Sequence, residues 1–196
     1  MKETGVIKFN CNWIKAQPIS PDLLIALNVW RTRMHKLGFI GVNNEEIGYG
    51  NMSIRLSGNQ FIITGSATGK IKVLSNKHYT KVVNYDLDKN SLTAEGPILA
   101  SSESLTHAVI YECDKNVNAI IHIHNSKMWN QLMNKVPTTN KDVEYGTPAM
   151  AMEMKRLYKE TNLRNEEILV MAGHQDGIIS FGKDLNEAGN QLLKLV

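Results

Sequence analysis

Apolar residues recur at helical spacing in Leu24, Leu27, Trp30, Met34 and Leu37, just after Ser20-Pro21 and just before Gly38. That spacing predicts a helix with Ser20 at its N-cap, Pro21 at its first position and one buried stripe. The pattern then changes to short apolar runs, "MSIRL", "QFIITG" and "KVVNYDLD", which read as strands. The first two are joined as a hairpin at Ser57-Gly58-Asn59, and the third meets "DKNSLTAEG", read as another turn. A serine-capped helix is expected from Ser102 to about Asp114, a strand over "AIIHIHN" (119–125), and a helix near Ser126 to Asn134. An irregular section with Pro137 and Pro148 precedes a helical "AMAMEMKRLYKE" and two further apolar runs, "EILVMAG" and "DGIISFG". The closing segment opens on Asp184 and Glu187 as a capping box and puts Leu185, Ala188, Leu192 and Val196 on one stripe. Together these elements predict an α/β fold in which helices cover both faces of a largely antiparallel sheet.

One run breaks its own pattern. Alternate residues of a strand face the same way, so Ile121 and Ile123 share one face while His122 and His124 share the other, about 6.6 Å apart along the strand. Such a pair either converges on a metal ion or consists of two half-buried histidines satisfied by hydrogen bonds. The remaining candidates for a third ligand are His35, His78, His107 and His174. His174 has the best position, in "MAGHQDG", after an apolar strand and before a glycine-bounded turn. Three imidazoles with one coordination position left over would make a catalytic rather than a structural zinc site. A turn histidine is the plainer alternative.

Glu103 is expected in the first turn of the helix before the histidine strand, behind Ser101 and Ser102. It is read either as a helix-start carboxylate favoured by the helix dipole or as a general acid/base beside a metal. His107, four residues on, shares its face and is read as packing or as orienting Glu103. Three polar segments, "GYGNMS" (48–53), "TGSATGK" (64–70) and "SSE" (101–103), offer backbone N–H groups, hydroxyls and a helix start suited to phosphate, and each also reads as an ordinary turn. None matches the nucleotide-binding glycine motifs.

The 196 residues, 42% hydrophobic and 21% charged, suit one soluble domain spanning residues 1–196, without repeats or a linker. The net charge of +3 comes from scattered basic residues and gives no stripe for nucleic acid. Cys11 and Cys113 fit neither a disulfide framework nor a C-x-x-C metal spacing, which is the usage of reduced cytosolic thiols. The N-terminal "MKETGVIKFNCNW" lacks the apolar core of a signal peptide, and no window reaches the roughly 18 apolar residues of a membrane span, so a cytoplasmic protein is expected.

Taken in order and spacing, "GNMSIR", "FIITGSATG", "EGPILASSESLTHAVIYE", "AIIHIHN" and "GHQDGIISFGKDLNEA" resemble the class II aldolase/adducin family over roughly residues 20 to 195. The resemblance implies a three-layer α/β/α sandwich with a central, mainly antiparallel sheet, and sites between the subunits of a homotetramer. It implies one divalent metal per subunit, zinc first with manganese, iron, cobalt or nickel as substitutes, bound by His122, His124 and His174. Glu103 matches the family's acid/base. Gly50, Asn51, Thr64, Gly65, Ser66, Thr68, Gly69, Ser101 and Ser102 match its phosphate-binding segments. The implied reaction is the making or breaking of a carbon–carbon bond in a small phosphorylated ketose through a metal-stabilised enediolate. A sugar-phosphate 4-epimerase, a methylthioribulose-1-phosphate-type dehydratase and a non-catalytic family member are the alternatives. The sequence departs from the family in its longer turn Gly173-His174-Gln175-Asp176-Gly177, in "ITGSATGK" where a proline usually follows the Ile-Thr pair, and in ending at Val196 without the tail tyrosine of the aldolases.

Overall fold

The computed structural model describes residues 7–196, so the first six residues of the stretch read for a leader lie outside it. Among the described residues ten strands are formed: β1 (Asn10–Lys15), β2 (Gly41–Val42), β3 (Gly48–Tyr49), β4 (Asn51–Arg55), β5 (Phe61–Thr64), β6 (Tyr79–Asp86), β7 (Ser91–Gly96), β8 (Ala119–His124), β9 (Ile168–Val170) and β10 (Gly177–Gly182). The helices are α1 (Ile25–Lys36), α2 (Ser104–Cys113), α3 (Ser126–Leu132), α4 (Pro148–Glu160), α5 (Leu163–Glu166) and α6 (Leu185–Leu193). Eight strands make one sheet in the order β1-β7-β6-β5-β4-β8-β10-β9, while β2 and β3 pair by themselves. Every pairing in the large sheet is antiparallel except β1 with β7.

The alternation of side chains divides the interior into two cores. Phe61, Ile63, Val82, Ile120, Ile179 and Phe181 face Ala108 and Val109 of α2 and Met150, Met154 and Leu157 of α4. Met52, Ile62, Ile121, Ile123 and Ile178 face Leu27 and Met34 of α1 and Leu185, Ala188 and Leu192 of α6. This is the expected sheet covered on both faces by helices. At roughly 1.5–3 kcal/mol for each large apolar side chain removed from water, these two layers supply the main force for folding. The β4–β5 hairpin turns at Gly58, whose φ is 57°, a conformation in which a Cβ would be strained.

Several local expectations are corrected. "DKNSLTAEG" is only in part a turn: Ser91–Gly96 is the full strand β7, held between β6 and the unanticipated β1. Its serine, threonine and glutamate alternate with buried Leu92 and Ala94, a short half-buried pattern masked by the preceding Asp-Lys-Asn. The first helix begins as a single 3-10 turn, Pro21–Leu24, without a hydrogen bond from the Ser20 side chain, and Leu37 is 40% exposed beyond the end of α1. Val196 is 77% exposed because α6 stops at Leu193. Only half of the closing capping box forms: Asp184 accepts from the Glu187 N–H, but the Glu187 carboxylate accepts from Lys183 instead of the cap residue. Among the described residues no helix is long and apolar enough to cross a membrane. Cys11 and Cys113 are unbridged.

Candidate metal centre

Strand β8 lies inside the sheet, and Ile120 goes into one core while Ile121 and Ile123 go into the other. His122 and His124 therefore project on the side of α2 and α4, as the alternation requires. Antiparallel register sets Asn51 of β4 opposite His122 on one side, and Ile179 and Gly177 of β10 opposite His122 and His124 on the other. The Asn51 amide nitrogen comes within 3.2 Å of His122 Nδ1. His174 stands in the turn between β9 and β10, where its own N–H reaches the Met171 carbonyl and its carbonyl accepts from Gly177.

The turn closes onto the strand because residue 177 is glycine. A Cβ there would lie 2.7 Å from His174 Cδ2 and 3.3 Å from His122 Nε2. With that space available, ring nitrogens of His122, His124 and His174 all fall within 4.8 Å of one another, and His124 Nε2 is 2.9 Å from His174 Nε2. His35 on α1 and His78 before β6 lie elsewhere.

Glu103 is not in the first turn of α2, as expected, but immediately before it, at the N-cap, with φ of −100°. Its side chain is therefore not committed to capping the helix and turns inward: Oε2 is 3.1 Å from His122 Nδ1 and Oε1 is 3.3 Å from His174 Nε2. Neither approach has hydrogen-bond geometry, so both carboxylate oxygens are buried without a hydrogen-bond partner, as is His122 Nε2. Orphaned polar atoms at this depth cost free energy unless something satisfies them. Three converging imidazoles and a carboxylate with unused lone pairs form a donor set that fits a divalent cation.

Burial sets the protonation states. It pushes the Glu103 carboxyl up to about 8, an effect that the charge of Lys8 partly offsets. It pulls His124 down to about 4, and it takes His122 and His174 well below the ordinary histidine range, helped by the neighbouring imidazoles. At neutral pH all three histidines are thus uncharged, the form that binds metal, while the carboxyl can take up or release a proton near neutrality.

His107 does not orient the Glu103 carboxyl. Its Nδ1 is 2.7 Å from Ser53 Oγ, which in turn is 2.8 Å from the Tyr111 hydroxyl, a wholly buried polar cluster between α2 and β4. The two helix positions share a face, but α2 begins only at Ser104, so the Glu103 side chain leaves before that face is established.

A cavity of about 420 Å³ opens over the histidines. Gly50, Asn51, Gly65, Ser66, Thr68, Gly69, Ser101, Ser102 and Glu103 line it together with the three imidazoles. Thr64 is the exception among the residues matched to the phosphate segments: it lies on β5, outside the lining, and its hydroxyl accepts from the Met52 N–H. The cavity also contains residues the sequence did not single out. The Tyr145 ring centroid is 4.3 Å from that of His174, and Lys8, outside the lining, places its Nζ 4.0 Å from the Tyr145 centroid. Tyr49, inside the polar segment of residues 48–53, packs 5.2 Å from His124. A lone Tyr-Gly pair at 145–146 carries no spacing signal, and only the fold brings it to the site.

A family model described as the class II aldolase and adducin N-terminal domain matches residues 43–196. Among curated proteins, an L-fuculose phosphate aldolase of Methanocaldococcus jannaschii is 28% identical over 153 residues, 71% of this chain and 75% of that one. Among solved structures, the l-fuculose-1-phosphate aldolase from Thermus thermophilus aligns with a TM-score of 0.63 at 21% identity, covering 89% of each chain. A sugar-phosphate aldolase from Thermotoga maritima aligns with a TM-score of 0.68 at 14% identity, covering 89% of this chain and 90% of that one. At such identities the structural likenesses bear on the fold alone, and they match the large, helix-flanked sheet described above.

Proposed function

The chain belongs to the class II aldolase and adducin family, and from that membership we propose that it is a divalent-metal-dependent lyase that cleaves or forms a carbon–carbon bond in a small phosphorylated ketose. The observation that carries this reading is the buried Glu103 carboxyl, set within 3.3 Å of two of three converging histidines at the floor of the cavity.

His122, His124 and His174 hold the ion in this reading. When bound, the ion supplies positive charge against the negative oxygen charge that develops as a carbon–carbon bond beside a carbonyl breaks. Glu103 takes or returns the proton at the adjacent carbon. Its position within 3.3 Å of two of the histidines keeps it beside the reacting atoms. Gly50, Asn51, Gly65, Ser66, Thr68, Gly69, Ser101 and Ser102 hold the phosphate, while Thr64 braces β5 against β4 from behind. The cavity lining has no lysine or arginine among the described residues, so the phosphate is gripped by N–H groups and hydroxyls. Zinc as the ion, a homotetramer as the assembly and the cytoplasm as the compartment belong to the same proposal and rest on the family resemblance.

The test is metal analysis of the purified protein, followed by a panel of ketose 1-phosphates assayed for release of dihydroxyacetone phosphate. About one divalent ion per chain, and cleavage of L-fuculose 1-phosphate or a close analogue, is the expected result. A protein that holds no ion, and whose metal content is the same after His122→Ala, sinks the reading. Epimerisation or loss of water without cleavage would move it to the 4-epimerase or dehydratase chemistry that this type of site also serves.

A further inference from the structure

Arg31, on α1, is only 1% exposed, and no carboxylate among the described residues pairs with it. Its guanidinium is instead spent on one loop. Nη2 donates to the Thr68 carbonyl at 2.9 Å and the Gly69 carbonyl at 3.2 Å, and Nη1 donates to the carbonyls of Ile71 and of Lys72, the latter at 3.1 Å. Four carbonyl oxygens of a five-residue stretch thus converge on one buried cation. A planar fork with five donors can do this, whereas an ammonium cannot span it.

The peptide group is planar and trans, so each carbonyl held toward Arg31 directs the N–H of the next residue the opposite way. The carbonyls of Thr68 and Gly69 accordingly turn the N–H groups of Gly69 and Lys70 away from the guanidinium. Upstream, Ala67 is held at φ of 57°, a left-handed conformation that is costly for a residue with a Cβ and that cups successive N–H groups into a nest. The backbone N–H groups of Ala67, Thr68, Gly69 and Lys70 have no protein acceptor among the described residues. Gly65 through Gly69 line the cavity.

We propose that Arg31 is a positioning residue that builds the anion seat of this cavity from behind: it clamps the carbonyls of residues 68–72 so that the amides of 67–69 stay unpaired and polarised toward a substrate phosphate it never touches. The inference rests on the reading of the Gly65–Gly69 loop as a phosphate segment and adds to it the source of the loop's positive potential. A buried cation behind aligned peptide dipoles also explains how a cavity without basic lining residues attracts a dianion.

The experiment uses the metal-loaded protein, with inorganic phosphate as the probe in calorimetry. Arg31→Gln should weaken phosphate binding at least tenfold with metal content unchanged, and Arg31→Lys, which keeps the charge but loses the fork, should fall between. Unaltered phosphate affinity in Arg31→Gln overturns the role of Arg31 and leaves the phosphate loop standing. No phosphate binding to the metal-loaded wild type overturns the loop reading and the proposal with it. Should both variants fail to fold, amide exchange on the wild type decides: phosphate should slow exchange at residues 67–69, and binding that leaves those amides unchanged refutes the proposal.

Discussion

Glu103 Oε2 lies 3.1 Å from His122 Nδ1, with both side chains at least 98% removed from solvent, yet the two are not hydrogen-bonded. A structural pair would have closed into a hydrogen bond, because leaving buried acceptors unmet costs about 1–3 kcal/mol each. The arrangement instead suits groups held ready for a third participant. Replacing Glu103 with Gln keeps the shape and removes the titrating proton. Glu103→Gln should retain bound metal while the turnover rate falls by roughly 10²–10⁴-fold, the usual contribution of a positioned acid/base. Metal analysis alongside steady-state kinetics checks both halves, and a variant with near wild-type turnover would remove Glu103 from the mechanism.

Metal removal should be visible in stability as well as in activity. An ion bound by the folded protein alone raises its stability by about 2.7 kcal/mol at a hundredfold excess over its dissociation constant. Dialysis against a chelator should therefore lower the thermal midpoint by several degrees, and added zinc should restore it. His124→Ala should abolish that response. A midpoint indifferent to chelator and zinc would count against a metal site.

Gly177 is where packing and chemistry meet. The 2.7 Å approach of a Cβ to His174 and the 3.3 Å approach to His122 Nε2 mean that Gly177→Ala must push one imidazole aside. We expect at least a tenfold loss of metal affinity with circular dichroism unchanged, measured by competition with a chromogenic chelator. Unchanged affinity would show that the turn relaxes without moving the ligands.

The buried cluster of His107, Ser53 and Tyr111 gives a pH dependence independent of catalysis. Burial holds His107 down at about 3, against 6.5 in an unfolded chain, so between those values the unfolded state binds the extra proton. The associated stability is fully present above about pH 6.5 and is lost progressively as pH falls toward 3. His107→Gln should flatten this decline between pH 7 and pH 4.5, read from urea midpoints of the metal-free protein. A decline of equal steepness would place the acid sensitivity elsewhere.

Much of this protein is legible along the chain because its strongest signals are local. Alternation in "AIIHIHN" puts the two histidines on one face before any fold is known, and the same face is found, since period-two geometry belongs to the strand itself. The hairpin at Gly58 and the stripe Leu24, Leu27, Trp30 and Met34 follow from equally local rules. β7 and β1 escaped because the two strands pair with each other, a parallel register between residues some eighty positions apart that composition does not reveal.

The sequence by itself determined the type of chemistry: paired imidazoles on a strand, a carboxylate near a helix start, and polar loops fit for an anion. Only the tertiary structure decided which groups meet. Register brought Asn51 and Gly177 beside the histidines, the placement of Glu103 just outside α2 turned its carboxyl inward, and Arg31 reached across from another layer to hold the loop of residues 68–72. The physical reason is that backbone dihedrals and side-chain alternation act over a few residues. Convergence on a site depends on close packing between elements far apart in the chain, and no local pattern encodes those distances.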